Sequence, residues 1–540
     1  RGLDIVGKRR GLLLEGINKN PARMTVETGI ANGENWIFDR NRACGRMKVD
    51  MTAGMKNARD TCRLRNGTAG QSRREEWALT QYKSKPNSYV RLETPCGPIK
   101  GLRREDHLLF QGVKFADAGR WEAPVVVERW DGEYDATRQG PLCCQHAQFY
   151  QDIPEGYSRF YYEQNAEKRI YEYSEEDGLN LNIWAPEGGE NLPVAVFIHG
   201  GSFVSGGNSS PNICGGPEYC RRGIVLVTIN YRLNAFATGY DTTHRGNYAL
   251  QDQVAALEWV RRNIAAFGGN PERIVAMGES AGALSLQLLL YCPMARGLLK
   301  GAVLMSGGGS FERLGTPARP EVSEAVWKIV MQKLGAASLE DLKALPAKAV
   351  YDAWLAAGLT DMNLANHCAK PILDGEWVPG TFAELAAGNA IEDIPCIIGM
   401  SSQDMFPFYL YSCAVEWASY HAKNGRQPVY GYYLDRQIPG GDNVGAYHGV
   451  DLWYAFGTLD ANWRPFEPAD YRISENMIDY FAAFIKTGVP AAQGLAEWEP
   501  MTDTATRFLR FGDDLPEMYQ PPADAMASDI RNTLKPFPGM

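Results

Sequence analysis

Ser280 stands where a serine can be made into a nucleophile. In R-I-V-A-M-G-E-S-A-G-A-L (273–284) an apolar run, Ile274 to Met277, meets the corner Gly278-Glu279-Ser280-Ala281-Gly282, and a helix-compatible run to Leu290 follows. G-x-S-x-G between a strand and a helix is a nucleophile-elbow pattern. So sharp a turn needs small flanking residues, which Gly278 and Gly282 supply. A hydroxyl is a weak nucleophile at neutral pH, so it needs a base in hydrogen-bond reach and an acid to orient that base. With this elbow the chain order is Ser, acid, His. Of the seven histidines, only His367, His421 and His448 follow Ser280.

His448, in A-Y-H-G-V-D-L-W-Y-A-F, has a glycine for a tight loop and an apolar run to anchor it, and is taken as the base. His421 lies in a polar stretch before a strand and is expected to be exposed. His367 precedes any plausible acid strand. For the acid, I-P-C-I-I-G-M-S-S-Q-D-M-F places Asp404 just past a strand end and makes it the favoured choice. The rival is Asp374, in P-I-L-D-G-E-W-V-P, which reads as a turn. Attack on an ester carbonyl also creates an oxyanion, which needs donors. His199-Gly200-Gly201-Ser202-Phe203 follows a strand-like run, so the backbone N–H groups of Gly200, Gly201 and Ala281 are the candidate donors. Phe203, Met405 and Phe406, with Phe408 and Tyr409, are candidates for an apolar pocket edge that favours acyl or aryl groups.

These residues need a scaffold. Val194–Ile198, Gly223–Ile229, Ile274–Met277, Ala302–Met305, Ile394–Gly399 and Val429–Leu434 read as strands, and 89–113 as short strands with turns. Residues 251–266, 281–290, 321–357 and 473–486 read as helices. Unbroken apolar strands alternating with helices imply an α/β fold, a mostly parallel sheet covered on both faces. Ligands of such sheets bind at the carboxyl ends of the strands, where His199, Ser280 and Asp404 all fall.

Composition bounds the rest. The 540 residues are 45% hydrophobic with a net charge of -9, enough for a large core. Residues 1–87 carry 18 Lys and Arg against 9 Asp and Glu, while the remainder carries 37 against 55. The first 87 residues lack sustained periodicity and a secretory-signal pattern, and their basic residues form no stripe for nucleic acid. They are expected to be a poorly ordered extension, or sequence upstream of the true start, ahead of one domain spanning 88–540. No run of 18 apolar residues occurs, so membrane insertion is not expected. The 11 cysteines are irregularly spaced with no C-x-x-C pair and no zinc-ligand pattern. That usage fits a reducing, cytoplasmic compartment. No metal or cofactor is expected.

Several stretches together resemble the type-B carboxylesterase family, which includes cholinesterases and bacterial p-nitrobenzyl-esterase-like enzymes. They are F-Q-G-V-K-F-A with G-R-W-E-A-P (110–124), S-E-E-D-G-L-N-L-N-I (174–183), N-Y-R (230–232), G-N-Y-A-L-Q-D-Q (246–253), G-E-S-A-G-A-L-S (278–285), G-M-S-S-Q-D and H-G-V-D-L. The resemblance implies an α/β-hydrolase fold and hydrolysis of a small-molecule ester by Ser280, Asp404 and His448. It also implies structural ion pairs of Arg120 with Glu176 and Arg232 with Asp252. Asp404 stands where the family usually has Glu. Gly178 stands where many secreted members have a disulfide cysteine. The stretch from Asp404 to His448, which in the family helps wall the pocket, is shorter than usual. An aryl-specialised feruloyl or cinnamoyl esterase lies within this reading. A lipase would need an apolar lid, and none is evident. A non-catalytic cholinesterase-like module would be expected to lack Ser, His or acid, and all three are present.

Overall fold

The apolar runs form the centre of one large sheet. The computed structural model describes residues 5–7, 12–14, 26–31, 34–39, 88–150, 160, 161, 163–166, 171–238, 246–310, 317–358 and 369–522. The chain divides into two units, Arg1–Ser72 and Arg73–Met540. In the first, Ile5–Gly7 pairs antiparallel with Leu12–Leu14, and Val26–Ala31 with Glu34–Asp39. The rest of the expected extension, and His367, lie outside the described residues.

The large sheet of the second unit has 13 strands among the described residues. In chain order they are β1 (Ser88–Thr94), β2 (Gly97–Arg103), β3 (Leu108–Lys114), β4 (Tyr134–Asp135), β5 (Asn180–Ala185), β6 (Leu192–Ile198), β7 (Val225–Ile229), β8 (Gly269–Glu279), β9 (Gly301–Met305), β10 (Cys396–Ser401), β11 (Val429–Leu434), β12 (Phe508–Phe511) and β13 (Glu517–Tyr519). From β7 the order runs β7-β6-β8-β9-β10-β11-β12, all parallel. The early strands β1, β2, β3 and β5 join antiparallel at one side, and β13 closes the other.

Alternate residues of the central strands serve opposite faces, as the period of two requires. Val194, Val196, Ile198, Ile274, Ala276, Ala302 and Leu304 share one apolar layer with Trp259 and Leu286. Those last two lie on helices α1 (Tyr248–Asn263) and α2 (Ala281–Leu289). Ala195, Phe197, Val275, Met277, Val303 and Met305 share the other layer with Phe481 and Phe484 of a long helix, Pro468–Thr487. Both faces of the sheet are therefore covered, and the buried apolar runs read in the sequence are its core.

Two ion pairs tie outlying loops to this core. Arg232 donates from Nε and Nη2 to Asp252 at 2.8 and 2.6 Å, while its own N–H reaches the same carboxylate at 2.9 Å. Asp252 is fully buried on α1. Arg120 pairs with Glu175 at 2.5 and 2.7 Å, not with Glu176 as expected. The reason is local. The Ser174 hydroxyl accepts the N–H groups of Glu176 and Asp177, a turn in which Glu175 faces the arginine and Glu176 does not. Removing one partner of a buried pair strands the other charge, so Asp252→Ala is expected to cost about 3–5 kcal/mol of stability. Urea unfolding measures it, and a loss under about 1 kcal/mol would mean that Arg232 finds other compensation.

Gly178 also has a visible neighbour. A Cβ placed there would lie 2.8 Å from Cys143 Sγ. The thiol is buried and free, facing a position that carries no partner sulfur.

Candidate active site

Strand register sets where each loop emerges. Ile198 is level with Gly278, Glu279 with Met305, and Met305 with Gly399. The segments leaving β6, β8, β9 and β10 therefore leave side by side. They carry Gly200, Ser280, Ser306 and Asp404.

Ser280 sits between β8 and α2 with φ 54° and ψ −122°. A non-glycine residue rarely adopts such a conformation, and strain of this kind persists only where its surroundings enforce it. The crowding is direct. A Cβ on Gly278 would lie 2.4 Å from the Gly282 carbonyl, and one on Gly282 would lie 2.0 Å from the Ile198 carbonyl. Larger residues would push β6, β8 and α2 apart. Ser280 N–H donates to Met305 O at 2.9 Å, which pins the corner to β9.

His448 arrives on a loop about 170 residues later in the chain. Its Nε2 lies 2.9 Å from Ser280 Oγ, and its Nδ1 lies 2.5 Å from Asp404 Oδ1. The structure thus brings Ser280, His448 and Asp404 together, with the histidine and the carboxylate buried. Asp404 is heavily hydrogen-bonded. It accepts from Ser401 N at 3.0 Å, Met405 N at 2.7 Å and Ser306 Oγ at 2.6 Å. Asp374 lies apart from the histidine. Its Oδ1 accepts the N–H groups of Glu376, Trp377 and Val378, and its Oδ2 faces Asn247, so it organises a turn.

Two further carboxyl groups surround the imidazole. Glu279 Oε1 lies 3.3 Å from His448 Nε2. Asp451, fully buried three residues after His448, accepts from Tyr432 Oη at 2.6 Å and lies 3.3 Å from Ser306 Oγ. Burial pushes Glu279 up to about 8, reinforced by the charges of Asp451 and Asp404 and opposed by His448. Burial likewise raises Asp451 to about 6. For His448 burial favours the neutral ring, but the carboxylates of Asp404, Glu279 and Asp451 outweigh it and raise the imidazole to about 9. Part of that rise needs Glu279 ionised. The carboxyl of Glu279 thus faces the ring nitrogen that must accept the serine proton, and its charge favours the imidazolium. Sequence reasoning did not single out Ser306, Glu279 or Asp451. The available signals were Ser306-Gly-Gly-Gly at a strand end, the acid beside the serine, and the acid of H-G-V-D.

The glycine loop lies over the same corner. A Cβ on Gly200 would sit 3.0 Å from Ser280 Cβ, and one on Gly201 would sit 2.0 Å from Ser205 O. Val204 and Ser205 N–H both donate to Gly201 O. The His199 ring stacks on Tyr231 at 4.4 Å, with Nδ1 2.8 Å from Gly200 O, and burial lowers its pKa to about 4. Tyr231 Oη donates to His199 O at 2.8 Å. Gln145 clamps the far end of the loop through Gly206 N and O. Ala281 opens α2, where the first N–H groups of a helix have no intrahelical acceptor.

The apolar candidates separate. Phe203 is buried at 3% exposure in the layer that contains Ala281 and Leu286. Met405 is half-buried beside Asp404, and Phe406 is 40% exposed with φ 59° at the start of the helix Pro407–Lys423. That helix also holds His421, which is buried rather than exposed. Its ring packs on Trp417 and its Nδ1 lies 2.8 Å from Gln427 O. Among the described residues no acidic, histidine or cysteine cluster could hold a metal ion, and no helix is long and apolar enough to cross a membrane.

The carboxylesterase family model matches residues 88–414 and 403–526. Para-nitrobenzyl esterase of Bacillus subtilis is 30% identical over 330 residues, covering 58% of this chain and 63% of that protein. Human bile salt-activated lipase is 28% identical over 518 residues, covering 77% of this chain and 65% of its own length. The chain thus spans somewhat under two thirds of these relatives. Among solved structures, a thermophilic PNB esterase superposes with a TM-score of 0.71 at 25% identity, covering 82% of this chain and 99% of that one. A carboxylesterase of Geobacillus stearothermophilus gives 0.66 at 27% identity, covering 81% and 99%. The sheet, its crossovers and the elbow are those of the α/β-hydrolase fold, and the chain belongs to the carboxylesterase family.

Proposed function

We propose that this chain is a serine carboxylesterase, acting on short-chain acyl or aryl esters through an acyl-enzyme. One observation carries the reading: Ser280 Oγ, His448 and Asp404 form a continuous hydrogen-bonded line, with contacts of 2.9 and 2.5 Å. Ser280 Oγ attacks the ester carbonyl while His448 Nε2 takes the hydroxyl proton. Asp404 holds the ring with Nδ1–H toward itself and steadies the imidazolium. The N–H groups of Gly200, Gly201 and Ala281 receive the oxyanion as the carbonyl becomes tetrahedral. Collapse breaks the bond to the alcohol, which leaves with the proton from His448. Water then attacks the acyl group, gives its proton to His448, and the carboxylic acid departs as the proton returns to Ser280.

The exposed Phe406 and half-buried Met405 beside Asp404 support an apolar acyl or aryl contact, as do relatives named for a nitrobenzyl ester and for lipase activity. The seven buried cysteines among the described residues are free thiols, which supports a reducing compartment. Hydrolysis of p-nitrophenyl acetate by the full chain tests the reading. A panel of esters varying in acyl length and aromaticity then ranks the substrates. No turnover of any aryl or short-chain ester would reject it.

The contact between Glu279 and His448 gives a pH prediction. His448 is held above its ordinary value partly by Glu279, and the enzyme needs the neutral ring. Glu279→Gln removes that negative charge, so the ring loses its proton at lower pH. The acid limb of the kcat/KM profile is expected to move down by about one pH unit. A limb that stays in place or moves up would show that Glu279 is already neutral where the histidine titrates.

A further inference from the structure

The loop that carries His448 has no regular secondary structure, and left-handed glycines flank it, Gly445 at φ 64° and Gly449 at φ 74°. Its position depends on what holds its carbonyls. Ala446 O accepts Gln403 N–H at 2.9 Å, from the residue before the acid. Tyr447 O accepts Val450 N–H at 3.1 Å within the loop's own turn. His448 O is held differently. It accepts the phenol of Tyr161 at 2.6 Å, a side chain 287 residues away in sequence.

Tyr161 is itself braced. The Phe160 ring meets Tyr447 edge-on at 5.0 Å, and Gln164, 3% exposed, donates its N–H to Tyr161 O at 3.1 Å. Gln164 Oε1 accepts Nε of the fully buried Arg464 at 2.8 Å, and Gln164 O accepts Trp463 N–H at 3.0 Å. Arg464 in turn clamps Asp442 at 2.7 and 2.8 Å and Pro439 O at 3.0 Å, in the approach to the histidine loop. The line from Tyr161 to His448 O thus ends in a buried cation that fixes the same loop from its other end.

We propose that Tyr161 is a positioning residue for His448. Its phenol fixes the histidine backbone, so that Nε2 meets Ser280 while Nδ1 keeps its contact with Asp404. The proposal rests on the triad reading above. The charged and titratable groups facing the ring are Asp404, Glu279 and Asp451. Tyr161 touches the backbone instead, so its removal should change where the ring sits without taking a charge from beside it.

The test is Tyr161→Phe in the full chain, which keeps the ring and removes only the hydroxyl, measured beside Ser280→Ala with p-nitrophenyl acetate. A small displacement of a reacting group has a large kinetic cost, so kcat should fall about 10-fold with KM within about twofold. The far-downfield proton resonance of the His448–Asp404 hydrogen bond should broaden or move. If kcat stays within about twofold of the parent, or falls while that resonance is unchanged, the proposal is wrong. The two readings fail separately. An active Ser280→Ala would overturn the triad, whereas an inactive Ser280→Ala beside a fully active Tyr161→Phe would overturn only the role of Tyr161.

Discussion

Ser280→Ala is expected to abolish ester turnover, by about a million-fold, with the fold retained. The size follows from the proposed role of Ser280 as nucleophile. Without Oγ there is no acyl-enzyme, and the remaining contributions of substrate binding and the oxyanion donors give only weak catalysis by water. Folding should survive, because the crowding at this corner comes from Gly278 and Gly282 against neighbouring backbone, and Ala adds no atom there. The Ser280 N–H bond to Met305 O is a backbone contact and persists in the variant. Circular dichroism and the unfolding midpoint give the control for structure, and initial rates with p-nitrophenyl acetate give the effect. Retention of more than a few per cent of activity would remove Ser280 from the reaction.

Asp404→Asn should be the second largest loss, about 10⁴-fold in kcat, while Asp374→Asn should leave turnover near that of the parent. Asp404 Oδ1 faces His448 Nδ1 at 2.5 Å. An amide there can present its NH₂ to that nitrogen, which favours the tautomer with the proton on Nε2, where it cannot accept from Ser280. The other oxygen of Asp404 receives Ser401 N–H and Ser306 Oγ, so the carboxylate is fixed by the last residue of β10 and by the residue that follows β9. Asp374, in contrast, receives three successive backbone N–H groups of its own turn. Its substitution should be read in stability. Comparable kcat losses in the two variants, or a reversed order, would move the acid elsewhere.

The parts legible in the sequence are those fixed by local sterics and by continuous burial. Val429–Leu434 runs as expected from its composition, and the elbow is readable because only small residues fit beside β6. The Arg232–Asp252 pair is present as the resemblance implied. What depends on register or on a turn's orientation was not legible. Ser306 reaches Asp404 only because β9 and β10 align Met305 with Gly399, and no single segment encodes that pairing. Glu175 and Glu176 are chemically alike, and the Ser174 turn decides which one meets Arg120. The helix Pro407–Lys423 shows no clear helical period in the sequence, because aromatic and small residues cover most of its faces. The polar stretch around His421 suggests exposure, yet its ring packs on Trp417 and is buried. Tyr161 lies far from His448 in sequence, so its contact appears only in the folded chain.

The most direct measurement is to catch the covalent intermediate. The full chain is mixed with p-nitrophenyl acetate, quenched in acid during the first turnovers, digested and analysed by mass spectrometry. The account predicts a burst of p-nitrophenol matched by one acetyl group on the peptide containing Arg273 to Leu284, with fragmentation placing it on Ser280. An acetyl group on another residue that forms and decays at the rate of turnover, or steady hydrolysis with no acylated serine at any quench time, would contradict it.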